Sequence, residues 1–212
     1  MNHGEPATSQ RRWQLGGVLL AFSGMLFAAS PQIRQQFGWG YLAIVADLVL
    51  LVAVFCCVRD ADTTASPLHD RRLATVAFVL LAIAVLGPIP LTTIVIVPPP
   101  IAITALGLLC TGAGIVALGV FAHVVHRSPR IPRRNRTIIV AALLIITALN
   151  LAELVVQATP GLGEEFTVNI YVALTGLRWV AHCFGALTIA IAVILSSEKT
   201  ATRKPQPLIS QS

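Results

Sequence analysis

Residues 40–58 read GYLAIVADLVLLVAVFCCV, an apolar run whose one charged side chain is Asp47. The run has about the length that an α-helix needs to cross roughly 30 Å of hydrocarbon. Its segment 48–52 (LVLLV) lacks the alternation of apolar and polar residues that a barrel strand shows. A helix satisfies its own backbone hydrogen bonds in lipid, so the run predicts a membrane-spanning helix.

Five further stretches are also apolar and long enough to be membrane spans. The six predicted spans are 13–30, 40–58, 73–97, 101–125, 137–157 and 170–195. The 212-residue chain is 56% hydrophobic and 11% charged, whereas soluble domains carry about 25% charged residues. We therefore predict an all-α integral membrane protein, a single bundle of six transmembrane helices at 13–195 with polar tails at 1–12 and 196–212.

The third span contains the main ambiguity. Pro88 and Pro90 interrupt it, and three prolines at 98–100 end it. A proline removes a backbone donor, so one interpretation is a long helix with a kink. The other is a helix that ends near Gly87, followed by a re-entrant outer loop in the region 88–100. The sequence leaves both open.

The basic side chains orient the bundle, because Lys and Arg concentrate in cytoplasmic loops. Of the 15, only Arg34 falls on the opposite side and only Arg178 inside a span. The others are Arg11, Arg12, Arg59, Arg71, Arg72, Arg127, Arg130, Arg133, Arg134, Arg136, Lys199, Arg203 and Lys204. This pattern predicts a multi-pass protein of the cytoplasmic (inner) membrane with both termini in the cytoplasm, and the Arg-rich, Lys-poor composition suggests a bacterium.

Two alternatives concern these arginines. Arg11 and Arg12 before an apolar run also suit a cleaved export signal, which would leave five spans and an outer N-terminus. The run of arginines between the fourth and fifth spans orients the chain, and it would also attract anionic lipid head groups. Its members are Arg127, Arg130, Arg133, Arg134 and Arg136.

Polar side chains inside the spans give the candidate site. They are Asp47, Asn150, Glu153, Arg178 and His182. Such groups are costly in lipid, so they usually face the bundle interior and have a partner. At about 1.5 Å of rise per residue, the first four lie about 6–12 Å below the outer boundary and His182 about 18 Å below it. We expect a polar site that faces outward, with Arg178 bonded to either Glu153 or Asp47.

Two interpretations of this cluster stay open. One is an ion pair that locks the bundle, with Asn150 hydrogen-bonded between helices. The other is a pocket for an anion, a proton or a polar head group. In that case two carboxylates share Arg178, one of them exchanges a proton, and His182 extends the relay.

Other signals are weaker. Cys56, Cys57, Cys110 and Cys183 lack metal-ligand spacing, and His123 lies too far in depth from His182 for both to hold a haem. We therefore expect no metal and no cofactor. No aromatic residues are interleaved with the basic run, so nucleic acid is not an expected partner. The expected partners are the lipid bilayer and a membrane protein or a second copy of the chain.

Glycines suggest how one helix packs. Gly107, Gly112, Gly114 and Gly119 make the fourth span smooth, which favours close helix contact.

For function, we expect a small transporter-like or accessory membrane protein that uses Asp47, Glu153 and Arg178. An integral-membrane enzyme acting on a lipid or isoprenoid-like substrate is an alternative, as is a non-catalytic subunit or assembly factor. Catalytic residues are not assigned, and enzyme activity is the less favoured expectation.

Overall fold

The computed structural model describes residues 5–37, 41–59, 68, 70–88, 100–158 and 164–202. These residues form six α-helices and no strand, so the predicted all-α class is confirmed for this part of the chain. The helices are α1 (Glu5–Phe37), α2 (Tyr41–Val58), α3 (Arg71–Leu86), α4 (Pro100–Arg127), α5 (Arg133–Ala158) and α6 (Glu164–Thr202).

Five of the helices are long and apolar enough to cross a membrane, which makes the chain a multi-pass membrane protein by length and composition. The exception is α3, which has 16 residues. It ends at Leu86, before the prolines of the third predicted span, and the Gly87 amide still donates to the Ile83 carbonyl at 2.9 Å. The re-entrant loop predicted for 88–100 falls mostly on residues 89–99, which lie outside the described residues.

Local sequence explains several helix ends. The Asp70 carboxylate accepts a hydrogen bond from the Leu73 amide at 3.0 Å and caps the start of α3. Pro100 opens α4, where a missing N–H costs nothing. At the end of α4, the buried Ser128 hydroxyl donates to the Val124 carbonyl at 2.7 Å and begins the short turn into α5.

The six helices form a closed ring in chain order, each packed on the next and α6 packed on α1. Neighbours run antiparallel. Trp13 at the start of α1 contacts Val193 late in α6, whereas Phe27 further along α1 contacts Trp179 earlier in α6. The chain therefore goes up and down around the ring, and alternate helix ends lie on the same side.

Small residues bring α1 close to both of its neighbours. A Cβ added at Gly16 would lie 2.6 Å from the Cys57 sulfur of α2, and one at Gly17 would lie 2.8 Å from an Ile194 side-chain carbon of α6. The packing role expected for the fourth span is wrong for Gly107, Gly112 and Gly119, because no atom of the described residues lies within 4 Å of a Cβ at those positions. Close approach occurs at the two glycines of α1 and also at Gly87 and Gly185, where an added Cβ would lie 2.5 Å from the Cys110 sulfur and 2.7 Å from an Ile146 side-chain carbon.

The outer surface of the ring is apolar. Large hydrophobic side chains are exposed on all six helices, for example Phe22, Val52, Val79, Leu109, Ile145 and Phe184. Such a surface would be a liability in water but suits contact with lipid tails.

Candidate functional site

The ring encloses a central cavity of about 580 Å³, and all six helices contribute to its wall. This volume lies within the range of pockets that bind small molecules. Most of the wall is aliphatic or aromatic, with residues such as Leu20, Leu50, Leu81, Leu118, Ile146 and Ile189.

One end of the cavity is closed by the main hydrophobic core. We call this end the base and define it by Trp13, Val58, Leu68, Val125 and Ile139, which line the cavity and belong to one buried cluster. The Trp13 indole N–H donates to the Val193 carbonyl at 3.0 Å and ties α1 to α6. The base therefore seals the ring where the first and last helices meet.

The opposite end carries the polar side chains. We call it the mouth and define it by the cavity-lining residues Asp47, Asn150, Arg178 and His182. The fifth predicted residue, Glu153, is buried and contacts Arg178. Four of the five predicted residues therefore line one cavity, and the fifth contacts one of them.

Arg178 forms an ion pair with Glu153 across α5 and α6. The Glu153 side chain is 3% exposed and the Arg178 side chain 34% exposed. A buried carboxylate requires such a partner, because an isolated charge is costly away from water. Of the two predicted pairings, the structure thus has the one with Glu153, and the two charges cancel.

The other carboxylate of the predicted site, Asp47 on α2, has different surroundings from Glu153. Among the described residues it has no hydrogen bond and no ion pair. The neighbouring Ala46 carbonyl accepts a hydrogen bond from the buried Ser23 hydroxyl at 2.8 Å, which fixes α2 against α1 at this level. The Asp47 carboxylate is therefore held on the cavity wall by its backbone and is not neutralised by a neighbouring side chain that the structure describes.

His182 presents an acceptor to the cavity. Its Nδ1 lies 2.8 Å from the Arg178 carbonyl, which can only accept, so Nδ1 carries the hydrogen. In the neutral ring Nε2 is then an acceptor. The ring also packs against Phe27 of α1, with centroids 6.0 Å apart.

The last mouth residue, Asn150, bonds within its own helix. The Asn150 amide donates to the Ile146 carbonyl at 2.8 Å, so it does not hydrogen-bond between helices as the lock interpretation expected. The Asn150 side-chain oxygen therefore remains an unused hydrogen-bond acceptor at the mouth, as far as the described residues show. The Thr175 hydroxyl lies outside the cavity wall, one turn before Arg178 on α6, and is buried with no hydrogen-bond partner in the described part of the chain.

Sequence reasoning missed the amide that does bridge helices. Asn135 Nδ2 donates to the Ala192 carbonyl at 3.2 Å and to the Ser196 hydroxyl at 3.0 Å. Asn135 lies inside the arginine run, which we interpreted only by charge. The spacing along α5 could have revealed its role. Residues at intervals of three or four form one stripe of the helix, and that stripe contains Asn135, Ile139, Leu143, Ile146 and Asn150.

The arginines near the base lie apart from the mouth residues. Arg127, Arg130, Arg133 and Arg134 are exposed in and beside the turn from α4 to α5, and Arg136 is half-buried. They flank the base end of the ring, as do Arg11, Arg59 and Arg71 beside the ends of their helices.

Comparison with protein-family models, with curated proteins and with solved structures finds no match to this chain.

Proposed function

We propose that this chain is a six-span protein of a bacterial cytoplasmic membrane that holds an amphiphilic small molecule in its central cavity, as a small transporter-like or accessory protein. The observation that carries the proposal is the division of the cavity. Its base and middle are apolar, whereas Asp47, Asn150, Arg178 and His182 gather at the mouth. An amphiphile has the same division, with a tail for the apolar part and a head group for the polar end.

Two features support the six-span topology. The helices alternate in direction around the ring, and the arginine-rich helix ends lie together at the base. Because basic residues favour the cytoplasmic side, the base faces the cytoplasm, both termini lie there and the mouth faces outward. The helix α3 spans about 24 Å, a mismatch that a bilayer accommodates by local thinning.

A native mass spectrum tests the proposal first. The protein is released gently from its own membrane, and the mass of any bound molecule is measured. We expect a stoichiometric small amphiphile. A second protein in its place would favour the subunit alternative, and conversion of the bound amphiphile on incubation would favour the enzyme alternative.

Two glycines of α4 provide a matched pair of variants. A Cβ added at Gly107 or at Gly112 meets nothing within 4 Å among the described residues, and of the two glycines only Gly107 lines the cavity. Gly107→Leu should therefore reduce the occupancy of the bound amphiphile several-fold, while Gly112→Leu leaves it unchanged. Equal occupancy in both variants would show that the amphiphile binds outside the cavity.

A further inference from the structure

The charges around the mouth do not balance. Arg178 and Glu153 cancel each other across α5 and α6. Asp47 on α2 has no hydrogen bond or ion pair within the described ranges. The mouth therefore carries one uncompensated carboxylate, although the chain as a whole has a net charge of +6.

Other groups at the mouth are suited to accept hydrogen bonds. His182 uses Nδ1 for the Arg178 carbonyl and leaves Nε2 as an acceptor. The Asn150 amide uses its NH₂ group for the Ile146 carbonyl, so its oxygen stays available on the cavity wall. Arg178 supplies donors, but its charge is already matched by Glu153.

An aromatic ring lies beside one of these acceptors, His182. Phe27 lines the cavity and packs against the His182 ring. The face of a phenyl ring attracts a cation through its quadrupole, most strongly where water is excluded. Phe27 and Asp47 would thus both favour a positively charged head group.

We propose that Asp47 selects the head group, so that the cavity binds amphiphiles with a positively charged head, such as alkyl ammonium ions. This inference rests on the proposed function, because it specifies the ligand class of the same cavity. An uncompensated charge is costly in an apolar surrounding, and a cationic head beside the carboxylate removes that cost while the alkyl tail fills the aliphatic part. An anionic head would meet repulsion from Asp47.

The test uses three probes that share one tail and differ in head charge. Decylammonium, decanol and decyl sulfate are bound at equilibrium to the full-length protein in nanodiscs, and binding to empty nanodiscs is subtracted. We expect the cation to bind at least about tenfold more tightly than decyl sulfate, a difference worth about 1.4 kcal/mol. Decanol should lie between them.

Variants at position 47 separate charge from shape. Asp47→Asn should weaken the cation about tenfold and leave decanol within about twofold, whereas Asp47→Glu should keep the preference for the cation. Decanol binding also reports that the cavity of each variant is folded.

The outcomes distinguish the two proposals. If decanol binds but Asp47→Asn leaves the cation affinity unchanged, or if decyl sulfate binds best, Asp47 does not select the head group and the cavity function stands. If none of the three probes binds above the empty nanodiscs, the cavity function itself fails, and with it this inference.

Discussion

The base and the mouth of the cavity use polar side chains in opposite ways. At the base, the Trp13 indole and the Asn135 amide are buried and hydrogen-bond across α1, α5 and α6. At the mouth, Asn150 and His182 bond only to carbonyls of their own helices, and Asp47 has no such partner in the described part of the chain.

This difference separates stability from binding. A polar group whose hydrogen bonds are all made to neighbouring helices contributes to the fold and has nothing left for a ligand. A polar group that lines a cavity and still has unused hydrogen-bond donors or acceptors contributes little to the fold and can bind a ligand. The Arg178–Glu153 pair does both, because it joins α5 to α6 and its arginine reaches the cavity wall.

The largest expected effect comes from that pair. Arg178→Gln removes the guanidinium charge that neutralises the buried Glu153 carboxylate and should lower the free energy of unfolding by about 3 kcal/mol. Denaturant titration in mixed micelles measures the loss. The double variant Arg178→Gln with Glu153→Gln removes both charges and should recover most of it. Equal losses in the single and double variants would mean that the ion pair does not hold α5 to α6.

A smaller effect is expected at the base. Asn135→Ala removes hydrogen bonds to the Ala192 carbonyl and the Ser196 hydroxyl, so it should lower the free energy of unfolding by about 2 kcal/mol. Binding of decylammonium to the variant that remains folded should not change. A loss of affinity without a loss of stability would reverse the roles assigned to the two ends.

The third prediction concerns pH at the mouth. Cation binding should weaken as the pH falls, because a proton on the Asp47 carboxylate removes the charge that attracts the head group. The total loss should be about tenfold, the same as for Asp47→Asn. Protonation of His182 would add a repelling positive charge and act in the same direction. Measuring the cation affinity of the wild type, Asp47→Asn and His182→Gln between about pH 3 and about pH 8, a range that includes the ordinary pKa of both residue types, separates the two contributions.

Other ionisable groups around the cavity should not disturb this comparison. Arg178 and Glu153 are already paired, and the Cys57 and Cys110 thiols that line the wall stay neutral at acid pH. The described residues of α1 and α3 contribute no carboxylate, amine or imidazole to the wall. If Asp47→Asn kept the full pH dependence, His182 would be the group that senses the proton.

Whether a feature of the fold or of the candidate site could be predicted from the sequence depends on how far apart in the chain the interacting residues lie. Runs such as residues 40–58 predict helices because lipid requires local hydrogen bonding, and a fixed rise per residue brings Glu153 and Arg178 to a similar depth. Which carboxylate pairs with Arg178 depends on the order of helices around the ring, which no local pattern specifies. The Trp13–Val193 contact was missed for the same reason, since it joins the first helix to the last.

The smallest expected effect belongs to Asn150, the mouth residue to compare with Asn135. Asn150→Ala removes one hydrogen bond to Ile146, which costs about 1 kcal/mol, and replaces Asn by a residue with a helix propensity better by about 0.5 kcal/mol. Stability should therefore change by less than about 1 kcal/mol, while Asn135→Ala costs about twice that amount or more. Both substitutions remove a side-chain amide from the same stripe of α5. The comparison therefore measures how much that amide contributes to stability at the base and at the mouth. Equal destabilisation by the two variants would show that the mouth, too, is built for stability, and the unused polar groups around the cavity would then lose their significance as a binding site.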